Sequence, residues 1–362
     1  MARVRIDVSK LGYIPDSEEI DPVHRLHFGD VLLNTRNTLE LVGKVSIWRN
    51  ELPVAYYNSN ILRLEFSDEY CGNSQYFGYA LNSAHSINSI RNLATGTTSV
   101  AAIYTRDLLK LQVPVPTINE QRHIVAALAD ADTQITVLER LIAKKRAIKL
   151  GMMQQVFALP KLECERAALG SITSMISGGT PDRSNDAYWS GDIPWISATT
   201  LKQLEVSSSD QRVTKAAVRA GSRMAPLNAT LILVRGSALH SEIRASLVVA
   251  PVCFNQDVKA MVPLPGVEPK FLTYSIHANS ARLLRLVTSA GNTAGVLNTK
   301  VIQDFDIWLP DRETQRRVVE TFNDVSGELD ILAARLSKAR DIKIGMMQQL
   351  LTGRVRLPVE SA

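Results

Sequence analysis

With 362 residues, 45% of them hydrophobic and 21% charged, the chain is too long for one ordinary core and too apolar to be disordered, so two or more globular units are expected. No run of about 18 apolar residues is present and the opening MARVRIDVSK lacks an apolar signal core, which argues against a membrane span and for a cytoplasmic setting. The net charge of +5 leans toward a polyanionic partner, while Cys71, Cys164 and Cys253 are too scattered for a paired-cysteine zinc site and suit a reducing compartment.

In chain order, residues 1–116 read as a mixed domain. An apolar strand in 29–36 (GDVLLNTR) ends on Arg36, the turn at Asn58 follows, and 96–98 (GTT) leads into a β-like stretch closed by Pro116. Residues 117–160 read as a long helix. Thr117 and Glu120 stand at capping-box spacing, and Ile124, Leu128, Ala131, Ile135, Leu138 and Ile142 recur at steps of four and three. Residues 161–310 form a second mixed domain, with strand-like runs at 231–234 (LILV) and 247–249 (LVV). A second helix occupies 311–356, with Asp311 as N-cap and Gly353 as its stop. Val318, Phe322, Val325, Leu329, Leu332 and Leu336 repeat the apolar rhythm of the first helix, and residues 357–362 are a tail.

The two helices are copies. The stretch from Gln121 aligns without a gap with that from Gln315, at a constant offset of 194 residues, and both contain GMMQQ. The parts before them match more loosely. Residues 29–36 parallel 228–235, Tyr57 and Asn58 parallel Phe254 and Asn255, and 96–98 parallel 291–293. The expected fold is therefore α+β: two mixed domains joined by two long helices in an antiparallel coiled coil, with pseudo-twofold internal duplication. Such an object suits duplex DNA, because the separation of half-sites becomes a property of the protein.

Candidate binding residues follow from the same alignment. Arg36 and Arg235 end equivalent strands, where a guanidinium can hold guanine O6 and N7 or clamp a phosphate; Asn37, Thr38 and Ser237 adjoin them. Asn58 and Asn255 are candidates for adenine. Gly179 and Thr180 form a tight turn, and Lys44, Lys215 and Arg244, with Arg49, Arg219 and Arg223, are placed for phosphates. Catalytic signals are missing. Residues 185–188 (NDAY) lack the prolines of a base-holding loop, the D-x-K of Asp257 to Lys259 has no partner carboxylate, and the six histidines are scattered, so neither a catalytic nor a metal site is expected.

These stretches resemble the DNA specificity subunit of type I restriction–modification systems. The likeness rests on the helix openings with Gln five residues after Pro, the ending GMMQQLLTGRVRL, the run GDVLLNTRNTLELVGKV, and SGGTP followed by YWSG and IPWI. The resemblance implies two target recognition domains, each reading half of a split DNA sequence. It also implies a coiled coil that docks two methyltransferase (modification) subunits, which use S-adenosylmethionine on adenine N6. Restriction subunits that use ATP and Mg join that core, and this chain carries no cofactor or catalysis of its own. A non-DNA scaffold with two adaptor domains is the alternative. One departure stands out: 169–195 finds no match before Arg36, and with Ile6–Ile14 aligned to Ile196–Val206 the first domain is expected to be shortened at its N-terminus.

Overall fold

The computed structural model describes residues 4–9, 11–15, 17–97, 99–158, 165–290 and 294–357. The chain divides into two compact units, 1–141 with 332–362 and 142–331. The sequence segmentation at 117 and 311 is thus cut differently in space, since each unit takes one globular part and a portion of both long helices.

In the first globular part the elements are β1 (Val31–Asn34), β2 (Arg36–Asn37), β3 (Val45–Ile47), β4 (Ile61–Leu64), α1 (Ser74–Ala80), α2 (Ala84–Asn92), β5 (Thr95–Gly96), β6 (Ala101–Ala102) and α3 (Thr105–Leu108). The long helix α4 (Ile118–Val156) follows. The second part opens with β7 (Arg166–Ala168), α5 (Leu169–Ile172), β8 (Thr173–Ser177), β9 (Ile193–Ile196), β10 (Glu205–Val206), β11 (Arg212–Val213), α6 (Lys215–Arg219) and β12 (Arg223–Met224). It continues with β13 (Thr230–Leu233), β14 (Arg235–Gly236), β15 (Ala245–Val248), β16 (Cys253–Phe254), β17 (Val258–Pro263), α7 (Pro269–Ala278) and α8 (Ser280–Leu284). Last come β18 (Thr288–Ala290), β19 (Ala294–Val296), α9 (Thr299–Gln303), β20 (Asp306–Trp308) and the second long helix α10 (Arg312–Leu350).

Both parts are built on one plan. The main sheet of the first is β3-β1-β4 and that of the second is β10-β15-β13-β17-β8. Leu32 pairs with Ser46 as Leu231 pairs with Ser246, so the strands superpose residue by residue. Opposed residues share a face, and Val31, Leu33, Val45 and Ile47 turn toward α1, whose Tyr76, Phe77 and Tyr79 are buried. In the second part α7 does the same with Phe271, Leu272 and Ile276. The register also corrects the N-terminal alignment. The Ile47 amide donates to the Val4 carbonyl as the Leu247 amide donates to that of Leu204, so Val4 corresponds to Leu204 and Ile6 does not correspond to Ile196. Apolar residues without a strand pattern gave that alignment no register to hold it.

The helix openings explain the shared glutamine. Gln121 is fully buried; its Oε1 accepts from the Gly72 amide (3.1 Å) and its Nε2 donates to the carbonyls of Tyr70 (2.8 Å) and Pro116 (3.1 Å). Gln315 repeats this with the Glu268 amide (2.8 Å) and the Gly266 (3.2 Å) and Pro310 (2.8 Å) carbonyls. Each side chain satisfies loop groups that would otherwise be buried unpaired, and so ties the helix start to the loop before α1 or α7. Thr117 and Asp311 cap the two helices, and Gly353, at φ +70°, stops the second.

Within each unit the helix segments run antiparallel. In the first, Lys343 meets Asp132 and Arg340 meets Glu139; in the second, Lys145 meets Glu328 and Lys149 meets Ser326. Rising residue numbers on one helix face falling numbers on the other. Of the predicted seam residues, Ile124, Leu128, Ile135, Ile142, Phe322 and Leu332 are buried and Leu138, Val318, Leu329 and Leu336 half-buried; Ile124 and Leu128 cluster with Tyr76, Phe77 and Leu350, and Phe322 with Phe157, Phe271 and Tyr274. Each helix of 39 residues would be about 58 Å long at the α-helical rise.

Candidate nucleic-acid interface

In both units the arginine strand, the asparagine turn and the basic residue before β3 or β15 lie at one end of the main sheet, and the same main-chain bonds hold them there. After β1 the Thr35 amide donates to the Asn60 carbonyl (2.8 Å), and after β13 the Val234 amide donates to that of Asp257 (2.8 Å). The Asn34 amide donates to Lys44 (3.0 Å) as that of Leu233 donates to Arg244 (2.9 Å). The Ile103 amide donates to Thr35 (2.9 Å) as that of Leu297 donates to Val234 (2.9 Å). One frame therefore positions the arginine strand, the asparagine turn, the basic residue that leads into β3 or β15, and a hairpin.

Arg36 lies on β2 against β6, and β5 completes the small sheet; Arg235 lies on β14 against β19, and β18 completes its counterpart. Both arginines are exposed, and among the described residues neither guanidinium has an ion-pair or hydrogen-bond partner. A structural ion pair therefore does not account for either. Gly236, at φ +147°, lets the chain leave β14 directly into the short turn Ser237–His240, which keeps Ser237 exposed beside Arg235.

The remaining candidates divide. Asn37 and Thr38 follow Arg36, with Asn37 Oδ1 accepting from the Thr38 amide (2.9 Å). Asn58 is exposed and its Oδ1 accepts from the Asn60 amide (3.1 Å). Its counterpart Asn255 is buried. Its Nδ2 donates to Asp257 (3.3 Å), and its Oδ1 has no partner among the described residues. Gly179 donates to the Phe254 carbonyl (2.9 Å) and would meet the Gly221 carbonyl at 2.0 Å if it bore a Cβ, so only glycine brings this loop so close. Thr180 hydrogen-bonds Gln256 in the turn of Asn255. Lys44 is half-buried, and Lys215 is exposed on α6, outside this cluster.

Two predicted phosphate contacts are engaged elsewhere. Arg244 is held by Glu242 (Nε to Oε1, 2.8 Å) and by the Ala198 carbonyl (2.6 Å). Arg49 donates to the Val4 carbonyl (2.7 Å), the Tyr79 hydroxyl (3.1 Å) and Asp132 (3.4 Å), inside the contact between the sheet and α4. The sequence reading missed Arg91, in the last turn of α2, and Arg285, just after α8, both exposed shortly before the hairpins, and Arg183, whose guanidinium lies over Trp189 (5.0 Å) and Trp195 (5.2 Å). The hairpin residues Thr98 and 291–293 lie outside the described residues. No cluster of three or more His, Cys, Asp or Glu is arranged to hold a metal, and no helix is long and apolar enough to cross a membrane, among the described residues.

Comparison with known proteins adds a family. The type I restriction modification DNA specificity domain matches residues 24–145 and again 162–339. The EcoR124I/EcoR124II specificity subunit of Escherichia coli is 30% identical over 168 residues, 46% of this chain and 42% of that protein. The HindI specificity subunit of Haemophilus influenzae is 24% identical over 197 residues, 53% and 41% of the two chains. The chain thus spans about two fifths of the length of these curated relatives. The type I restriction–modification S subunit of M. genitalium shares the fold, with a TM-score of 0.57 at 16% identity over 92% of this chain and 84% of that one. A chain from a structure of the assembly and conformational transition of a type I R-M system gives 0.61 at 20% identity, over 91% and 83%.

Proposed function

The chain belongs to the type I restriction–modification DNA specificity family, and from that premise we propose that it selects a bipartite sequence in double-stranded DNA for such a complex. The observation that carries this reading is the duplicated sheet-end frame, which presents Arg36 in one unit and Arg235 in the other, both exposed and without a partner among the described residues. Each frame reads one half of the target. An arginine on a strand end is placed for the O6 and N7 of a guanine in the major groove, while Lys44, Lys215 and the exposed arginines nearby supply phosphate contacts.

Chemistry belongs to the partners. Two modification subunits dock on the paired helices and transfer methyl groups from S-adenosylmethionine to adenine N6; restriction subunits that use ATP and Mg join through them. The isolated chain neither methylates nor cleaves.

The test is Arg235→Ala in the chain reconstituted with its modification subunit, read by methylation-sensitive sequencing and by binding at several salt concentrations. Recognition relaxes at one half-site only, by about 1–3 kcal/mol of discrimination. Equal loss on specific and random DNA would reassign Arg235 to a phosphate, and no change would place the reading surface elsewhere. Affinity that does not fall with salt would instead favour a protein scaffold.

A further inference from the structure

The frame at the sheet end fixes one position that the two units fill with different chemistry. Asn60 and Asp257 stand immediately before β4 and β17, where Ile61 pairs with Asn34 and Val258 with Leu233. Their carbonyls take equivalent main-chain bonds, from the Thr35 amide and from the Val234 amide, both at 2.8 Å. The Asp257 carbonyl also accepts from the amide of Arg235 (3.3 Å), so Asp257 is tied directly to the exposed arginine of its unit.

The side chains at this position differ in what they can bond. The carboxylate of Asp257 is half-exposed and has no cation within ion-pair reach among the described residues. Lys259, two residues on, donates to the Ser177 hydroxyl (2.5 Å) instead. What holds Asp257 is the buried Asn255, whose Nδ2 donates to Oδ2 (3.3 Å). Its Oδ1 has no partner among the described residues. Asn60 is exposed, and its side-chain amide likewise has no hydrogen-bond partner among the described residues.

A carboxylate beside a DNA-reading arginine is repelled by the phosphates unless it meets a donor. The donors of the major groove are the amino groups at cytosine N4 and adenine N6, and adenine sets the acceptor N7 beside its own. A carboxylate only accepts, so it suits cytosine. A carboxamide both donates and accepts, which suits the N6 and N7 of adenine.

We propose that this register position selects one base in the half-site of each arginine. Asp257 accepts from the N4 amino group of a cytosine, and Asn60 holds the N6 and N7 of an adenine. The assignment rests on the DNA reading above and gives it base identities.

The test is Asp257→Asn in the full chain, reconstituted with its modification subunit and given S-adenosylmethionine and a randomised duplex library. Sequencing the methylated duplexes should show one position of one half-site turning from cytosine to adenine, by about tenfold or more. The other half-site, unchanged in the same molecules, reports that the variant is folded. Asn60→Asp should produce the converse exchange, adenine to cytosine, in the half-site that Asp257→Asn leaves alone. The proposal is overturned, with the DNA reading intact, if Asp257→Asn keeps the cytosine or selects no base at that position. A gain in affinity that is equal on every sequence overturns it too, since it reports only a lost charge. A wild-type chain that selects no sequence overturns the reading itself, and the proposal with it.

Discussion

The two places where a long helix meets a globular part are copies of one another with different chemistry. In the first unit Asp132, almost fully buried, accepts from Lys343 (2.7 Å) and from the Tyr79 hydroxyl (2.8 Å), with Arg49 at 3.4 Å and Arg5 at 3.5 Å. In the second, Ser326 stands at the repeat position of Asp132 and Lys149 at that of Lys343. Ser326 accepts from Lys149 (2.7 Å), and the Tyr274 hydroxyl donates to Asn323 (3.2 Å). Each lysine still lies over its tyrosine ring, at 5.5 Å for Lys343 and 5.9 Å for Lys149. The two copies share the lysine and the ring, while the acceptor is a carboxylate in one and a hydroxyl in the other. One end is held by a buried ionic cluster and the other by a lysine and a tyrosine hydroxyl that donate to uncharged acceptors, so the ends should respond differently to the same insult.

The largest difference is expected from Asp132→Ala, which leaves several cations and a hydroxyl facing a buried gap. It should destabilise the first unit by about 3–5 kcal/mol, read as faster exchange of amides in α1 and in residues 118–141. Gln121→Ala and Gln315→Ala should each cost about 1–3 kcal/mol, and by similar amounts, because their bonds are equivalent; a large inequality would show that the two helix anchors are not alike. Ser326→Ala should cost only about 1 kcal/mol, confined to the second unit. The smallest effect is that of acid. Partial burial works to raise the Glu139 carboxyl, but hydrogen bonds and charge from Arg340 and Arg5 outweigh it and hold the group below its usual 4.5. Because the folded value is the lower one, the stabilisation is complete above about pH 4.5 and is lost as pH falls through the folded value. Acid should therefore loosen residues 132–139 slightly, and Glu139→Gln should remove that dependence; an unchanged acid profile in the variant would discharge Glu139 from the role.

Much of this was legible in the sequence because it is periodic. The helices show themselves through Ile124, Leu128 and Ile135 and their copies, and strand ends marked by Arg36 and Arg235 align without any structure. What stayed hidden depends on contacts between distant residues. Asp132 and Lys343 are 211 positions apart, and nothing local pairs them. Arg49 and Arg244 look like free surface charges until Tyr79, Asp132, Glu242 and Ala198 are placed around them. The glutamine of each helix opening is visible as a repeat, but its purpose lies in loop carbonyls that only folding brings near. The stretch around Ile6 is irregular and carries no period, and only the bridge from Val4 to Ser46 supplies its register.

The frame at the sheet end carries an evolutionary consequence. Its bonds between Thr35 and Asn60, Asn34 and Lys44, and Ile103 and Thr35, and their copies in the second unit, all run from main chain to main chain. Apart from excluding proline at the donors, they are indifferent to which side chains the loops carry. Residues such as Asn37, Thr38, Asn58 and Ser237 can be exchanged without dismantling what holds them. Lineages can therefore diversify these loops piecemeal, or recombine whole units between chains, while inheriting an architecture that has already been proofread.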